Sequence, residues 1–234
     1  MLFFLGDNMI KSIKSLTKFE IILWLVSVIV VTVSFVVAPD NVLTYIASLI
    51  GVTALIFVAK GFVLGQILSV VFAVFYGIIS FHFKYYGEMI TYVFMTAPMS
   101  IMSMISWIKN PYKDTLEVTV NKINKKQVLI VLILSIIVTI VFYFILKALN
   151  TANLIFSTIS ITTSFIAVSL SFLRSPYYAL GYAANDIVLI ILWSLASIQD
   201  ISYIPMIMCF VMFLVNDLYG LINWKKMQKK QKNS

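Results

Sequence analysis

Apolar and polar positions fall in blocks along this chain rather than alternating residue by residue. Apolar runs of roughly twenty residues recur from one end to the other. Short clusters of Lys, Pro, Gly, Asn or Asp separate them. A bilayer core of about 30 Å needs about twenty apolar residues in a helix, whereas barrel strands would be shorter and alternating. The pattern predicts an all-α integral membrane protein with eight transmembrane helices: 20–38, 43–59, 63–81, 86–108, 127–149, 153–173, 177–196 and 201–224. The breaks are Pro39-Asp40, Lys60-Gly61, the His82-Phe83-Lys84 turn, the polar segment 109–126, Asn150 to Asn153, Arg174-Ser175-Pro176 and Gln199-Asp200. Each carries a helix-ending signal.

Composition sharpens this picture. The 234 residues are 62% hydrophobic and 11% charged, far from the charge content of a soluble domain. The net charge of +8 does not call for nucleic acid, because the lysines cluster between spans. With the N-terminus inside, 15 of the 17 Lys and Arg residues fall on one side, leaving Lys84 and Lys147 on the other. Such a bias marks the cytoplasmic side, so both termini are expected there, in a bacterial inner membrane. Trp107 and Trp224, each close to lysine, then sit at the inner interface. Cys209 is the one cysteine and no intrachain disulfide can form. The first long apolar run is followed by no convincing cleavage site for a signal peptide.

The chain repeats itself weakly. Tyr76 and Trp193 are 117 residues apart, as are Trp107 and Trp224; Lys60 and Arg174 are 114 apart, and Gly65 and Gly181 are 116 apart. One linker span between the matched triplets would leave them in the same orientation. The expected layout is two parallel three-helix bundles, 43–108 and 153–226, joined through 109–152 by a cytoplasmic loop and linker helix. An extra helix lies in 1–42, and 227–234 forms a basic tail. Transporters are commonly duplicated in this way, with the substrate near the midplane between halves.

Two apolar runs carry acids at mid-span: Asn185-Asp186 and Asn216-Asp217. An Asp at the centre of a membrane helix costs about 2.5–3.5 kcal/mol on the insertion scale. Each therefore asks for a partner or a wet cavity. By helical spacing Tyr182, Asp186 and Trp193 share a face, as do Asn216 and Tyr219. Gln66 and Tyr76 are their first-half counterparts. These eight residues, Gln66, Tyr76, Tyr182, Asn185, Asp186, Trp193, Asn216 and Tyr219, are the candidate substrate contacts. Their competing reading is interhelical hydrogen bonding, and for Asp217 the two readings are balanced. Glu88 could line an entrance or stay a solvated rim charge. No nucleotide-binding loop, metal spacing or hydrolase motif is present, so neither an enzyme nor an ATP-driven pump is expected, and no cofactor.

These residues carry a resemblance. The stretch Tyr76 to Glu88 (YGIISFHFKYYGE), the SWIKNPY segment from Ser106 to Tyr112, and the NDIVLIILW and NDLYGLINWKK runs resemble the PnuC family of bacterial vitamin transporters. The resemblance covers most of residues 43–226. It implies nicotinamide riboside as substrate and a fold similar to the SWEET sugar transporters. It also implies facilitated diffusion, with a cytoplasmic riboside kinase trapping the product by phosphorylation, and a homotrimer. Relatives that carry thiamine or riboflavin are the alternative, as is a membrane scaffold that moves no solute. A cationic pyridinium could stack on Trp193 or Tyr219, with Asp186 balancing its charge and Asn185, Asn216 and Gln66 bonding the amide or ribose.

Overall fold

The structure, a computed structural model, describes residues 10–39, 41–82 and 89–233. Eight long helical segments follow one another, much as the apolar blocks predict. They are α1 (Lys18–Val37), α2 (Val42–Ala59), α3 (Val63–His82), a π-helical turn (Thr91–Thr96) running into α4 (Ala97–Ile108), α5 (Lys125–Ala148), α6 (Leu154–Phe172), α7 (Tyr178–Ser197) and, after a short 3-10 turn (Ile201–Tyr203), α8 (Ile204–Lys232). No strand forms among the described residues, only two isolated antiparallel bridges, Phe62 with Glu117 and Pro111 with Val118. Lys84 and Glu88 lie outside the described residues.

Local chemistry sets several helix starts. Thr17 caps α1 in a reciprocal box with Glu20, and Asn124 caps α5 in the same way with Gln127. At the head of α4, Pro98 brings no backbone N–H. The Ala97 N–H reaches back five residues to the Tyr92 carbonyl, which widens the turn.

The helices pack in a two-fold pattern. Within each half the first helix packs on the second and the second on the third: α2–α3–α4 and α6–α7–α8. Across the halves, α8 packs on α2 and α4 packs on α6. Close approach needs glycine at matching places. A Cβ at Gly65 would lie 2.3 Å from the Val58 backbone nitrogen, and one at Gly181 would lie 2.8 Å from Ala167 Cα. Helix α1 lies against α2 and α8, and α5 against α6, outside this core.

At the lysine-rich end the halves bolt into each other. Trp107 Nε1 donates to the Ser171 carbonyl and Ser106 Oγ to the Phe172 carbonyl, at 2.9 and 2.8 Å. Trp224 Nε1 donates to the Val58 carbonyl and Asn223 Nδ2 to the Ala59 carbonyl, at 2.9 and 2.8 Å. Each third helix thus satisfies the last-turn carbonyls of the other half's first helix, groups a helix end leaves without internal partners. The two indoles are fully buried and touch, with ring centroids 5.2 Å apart; Tyr178 packs edge-on against Trp224 at 4.8 Å.

The 109–124 loop covers this plug. Val118 N–H donates to the Gly61 carbonyl and Asn121 N–H to the Arg174 carbonyl, both at 2.9 Å. Gly61 and Arg174 are the left-handed residues that end α2 and α6, with φ of 70° and 55°. Gln231, on the extension of α8, clamps the loop between Val118 and Val120.

Leaving a buried carbonyl without its donor costs about 1–3 kcal/mol. Trp107→Phe and Trp224→Phe are each expected to lower stability by about that amount, and by similar amounts because the two bonds are equivalent. Thermal unfolding of the purified protein in detergent checks this, and two clearly unequal losses would contradict the pairing.

Candidate substrate site

A cavity of about 510 Å³ opens at the end of the bundle opposite the lysines. That size suits one small organic molecule. Its mouth is lined by Asn150 to Asn153, by Gln199 and by Tyr203, and its floor by Tyr76, Asn185, Trp193 and Phe210. Each half brings an aromatic pair: Tyr76 with Tyr92, centroids 4.6 Å apart, and Trp193 with Tyr203, 5.3 Å apart. The wide π-turn puts Thr91, Tyr92 and Thr96 on this lining together.

Helix α6 supplies the polar wall. Asn153, Ser157, Ser160 and Ser164 all line the cavity, at spacings of four, three and four that keep them on one face. Thr163 Oγ1 donates to Asn185 Oδ1 at 2.8 Å, which engages the oxygen of that amide at the cavity wall. No Asp, Glu, Lys, Arg or His lines the cavity among the described residues.

Of the eight candidate contacts, Tyr76, Asn185 and Trp193 meet on this lining. The other five lie elsewhere. Gln66 Nε2 donates to Ser171 Oγ at 3.1 Å, tying α3 to α6. Asn216 Nδ2 donates to Ser27 Oγ at 3.0 Å and to the Met212 carbonyl at 2.7 Å, tying α8 to α1. Tyr219 Oη donates to Glu20 Oε1 at 2.6 Å, and Glu20 is also in an ion pair with Lys60 at 3.0 Å. Tyr182 packs against Tyr178 near the sealed end, and Asp186 is buried beside Asp217, below the cavity floor. Tyr92, Tyr203, Phe210 and the α6 hydroxyl face were not among the candidates. The serine spacing was readable as an amphipathic stripe; at the π-turn that aims Tyr92 the signal is Pro98, which marks a helix irregularity without saying which side chain it turns inward.

Comparison with known proteins fits this arrangement. Residues 41–226 match the family described as nicotinamide mononucleotide transporter. The chain belongs to that family. It is therefore a transporter and not an enzyme, and the PnuC resemblance is borne out. The nicotinamide riboside transporter PnuC of Neisseria mucosa is 29% identical over 220 residues, spanning 92% of this chain and 83% of that protein. That of Haemophilus influenzae is 24% identical, spanning 91% and 92%. The crystal structure of a vitamin B3 transporter PnuC superposes with a TM-score of 0.78 at 27% identity, covering 93% of this chain and 94% of that one.

Losing a hydrogen bond that holds a contact residue costs about 1 kcal/mol, so Thr163→Val is expected to weaken solute binding about fivefold by releasing Asn185. Trp193→Ala, which removes a wall of the cavity, is expected to weaken it by about a hundredfold. Calorimetric titration of the detergent-purified variants reads both, and unchanged affinity in Thr163→Val would show that Asn185 needs no such support.

Proposed function

We propose that this protein imports nicotinamide riboside. The observation that carries this reading is the cavity lining: aromatic rings from both halves, a hydroxyl and amide wall, and no charged side chain among the described residues. A pyridinium cation is attracted to the faces of Trp and Tyr rings without needing a carboxylate, which assigns that role to Tyr76, Tyr92, Trp193 and Tyr203. Ribose hydroxyls and the carboxamide are matched by Ser157, Ser160, Ser164 and Asn185.

The same lining argues against the mononucleotide. A phosphate entering this cavity would lose its hydration with no Arg, Lys or His to receive it, and burying an unpaired charge is costly. The riboside, which carries no phosphate, avoids that cost.

Transport is by facilitated diffusion in this reading, with a cytoplasmic riboside kinase keeping the internal concentration low. The sequence carries no nucleotide-binding motif with which an ATP-driven pump would work. The lysine-rich end faces the cytoplasm of a bacterial inner membrane and holds both termini, by the charge bias of the loops. The cavity then opens to the outside while the tryptophan plug closes the inside. Residues 43–108 and 153–226 are the two bundles that rock against each other, carried by the remaining segments. A homotrimer follows from the family resemblance.

The test is calorimetry of the purified protein with nicotinamide riboside, its mononucleotide, thiamine and riboflavin. Binding of the riboside, with the mononucleotide weaker by about a hundredfold or more, is expected from the missing phosphate partner. Preference for thiamine would keep the aromatic site and change the substrate. Equal binding of riboside and mononucleotide would overturn the argument from the lining.

A further inference from the structure

Between the cavity floor and the tryptophan plug lies a second polar cluster that no step so far uses. Asp186 and Asp217 contact each other from α7 and α8, each 3% exposed. Neither is in an ion pair among the described residues, where the charge pairs are Lys60 with Glu20 and Lys230 with Glu117. Asp186 Oδ2 is buried with no hydrogen-bond partner, and so is the Tyr178 hydroxyl, which interacts electrostatically with Asp217. The Tyr178 side chain is fully buried, and its hydroxyl lies 2.9 Å from where a Gly220 Cβ would sit. Gly220 is one turn beyond Asp217 on the same face of α8, so the hydroxyl lies near Asp217, on its plug side.

The cluster's depth places it on the way through. Asp186 shares the α7 face of Trp193 and lies seven residues deeper, about 10 Å at helical rise. Asp217 is seven residues beyond Phe210 of the cavity floor and seven before Trp224 of the plug, so the pair lies about midway, roughly 10 Å from each.

We propose that Asp186 and Asp217, with the Tyr178 hydroxyl, form an inner site for a monovalent cation, and that the cation is the positively charged ring of the substrate in passage. This deepens the import reading and rests on it. Two acids in membrane helices carry a continuing cost, and in this state of the protein neither carboxyl has a charged partner. The cost is recovered when a cation reaches them. A cation travelling from the uncharged cavity toward an end that holds 15 of the 17 Lys and Arg residues also climbs an unfavourable potential. An acidic pair just above the plug offsets that barrier where it begins. The outer cavity then selects by shape and ring stacking, and the inner site draws the charge inward once the plug parts.

The experiment compares two solutes in proteoliposomes: nicotinamide riboside, which is cationic, and its reduced dihydro form, which is neutral and nearly the same shape. Asp217→Asn is expected to slow riboside flux by about tenfold or more while dihydro-riboside flux changes by less than about twofold, because only the charged solute gains from the acid. Riboside affinity measured by calorimetry stays within about twofold, since the cavity is untouched. Asp186→Asn behaves alike, and thermal unfolding confirms that both variants are folded. Equal slowing of both solutes would overturn the proposal and leave the pair a structural seam. Flux in the wild type that follows an imposed sodium or proton gradient, and loses that dependence in Asp217→Asn, would assign the site to the inorganic ion and overturn its assignment to the substrate. A folded wild type that binds and carries neither solute would sink the import reading and this site with it. A wild type that carries the riboside while the variants fail to discriminate sinks only this site.

Discussion

The carbonyls at the last turns of α2 and α6 are the constraint around which this molecule is arranged. A helix that ends inside a protein leaves its final carbonyls without partners, and here each half supplies donors for the other. Ser106 and Trp107 serve Ser171 and Phe172; Asn223 and Trp224 serve Val58 and Ala59. Neither half can satisfy its own first helix this way, so the halves must meet at the lysine-rich end. That meeting brings the two indoles into contact, closes the end with Tyr178, and leaves the opposite end as the place where the bundle opens.

The polar groups in the apolar interior sort by what this arrangement lets them reach. Gln66, Asn216 and Tyr219 find partners on Ser171, Ser27 and Glu20 and become seams between helices. Asn185 is held by Thr163 and borders the cavity, with the serines of α6 along the same wall. Asp186 and Asp217 contact each other, and among the described residues neither is in an ion pair. These seams hold helices together through hydrogen bonds made within the protein, although Asn216 Oδ1 stays without a partner. The cavity wall and the acidic pair are not tied up in this way.

Helix α1 has a separate role in this economy of contacts. Glu20, almost fully buried, accepts from Tyr219 and Lys60 as well as from its own helix start. Ser27 receives Asn216, and Trp24 donates to Thr53 at 3.0 Å. The extra helix therefore fastens α2 to α8, one from each half, from outside the two-fold core. These contacts lie on the lysine-rich half, and Thr32 with Tyr45 at 2.9 Å adds one toward the other end.

Length and periodicity of the apolar blocks decided the all-helical membrane class, the number of long helices and the order in which they run, because each is a property of a continuous stretch. The duplication was also legible: Trp107 with Trp224 and Gly65 with Gly181 recur because the same bolts and the same close approaches are built twice. What the sequence could not reveal is which buried polar residue faces solute. Asn185 and Asp186 are neighbours in sequence, about 100° apart around one helix, yet Asn185 borders the cavity while Asp186 contacts Asp217 below it. Asn216 and Tyr219 are engaged by Ser27 and Glu20, some two hundred residues earlier, which lie within reach only after α1 has packed. Tyr92 borders the cavity through a widened turn, and Pro98 marks that irregularity without saying which side chain it aims inward. Composition along one helix sets what it can bury; the neighbours it meets decide which of its polar groups are used up and which are left to bind.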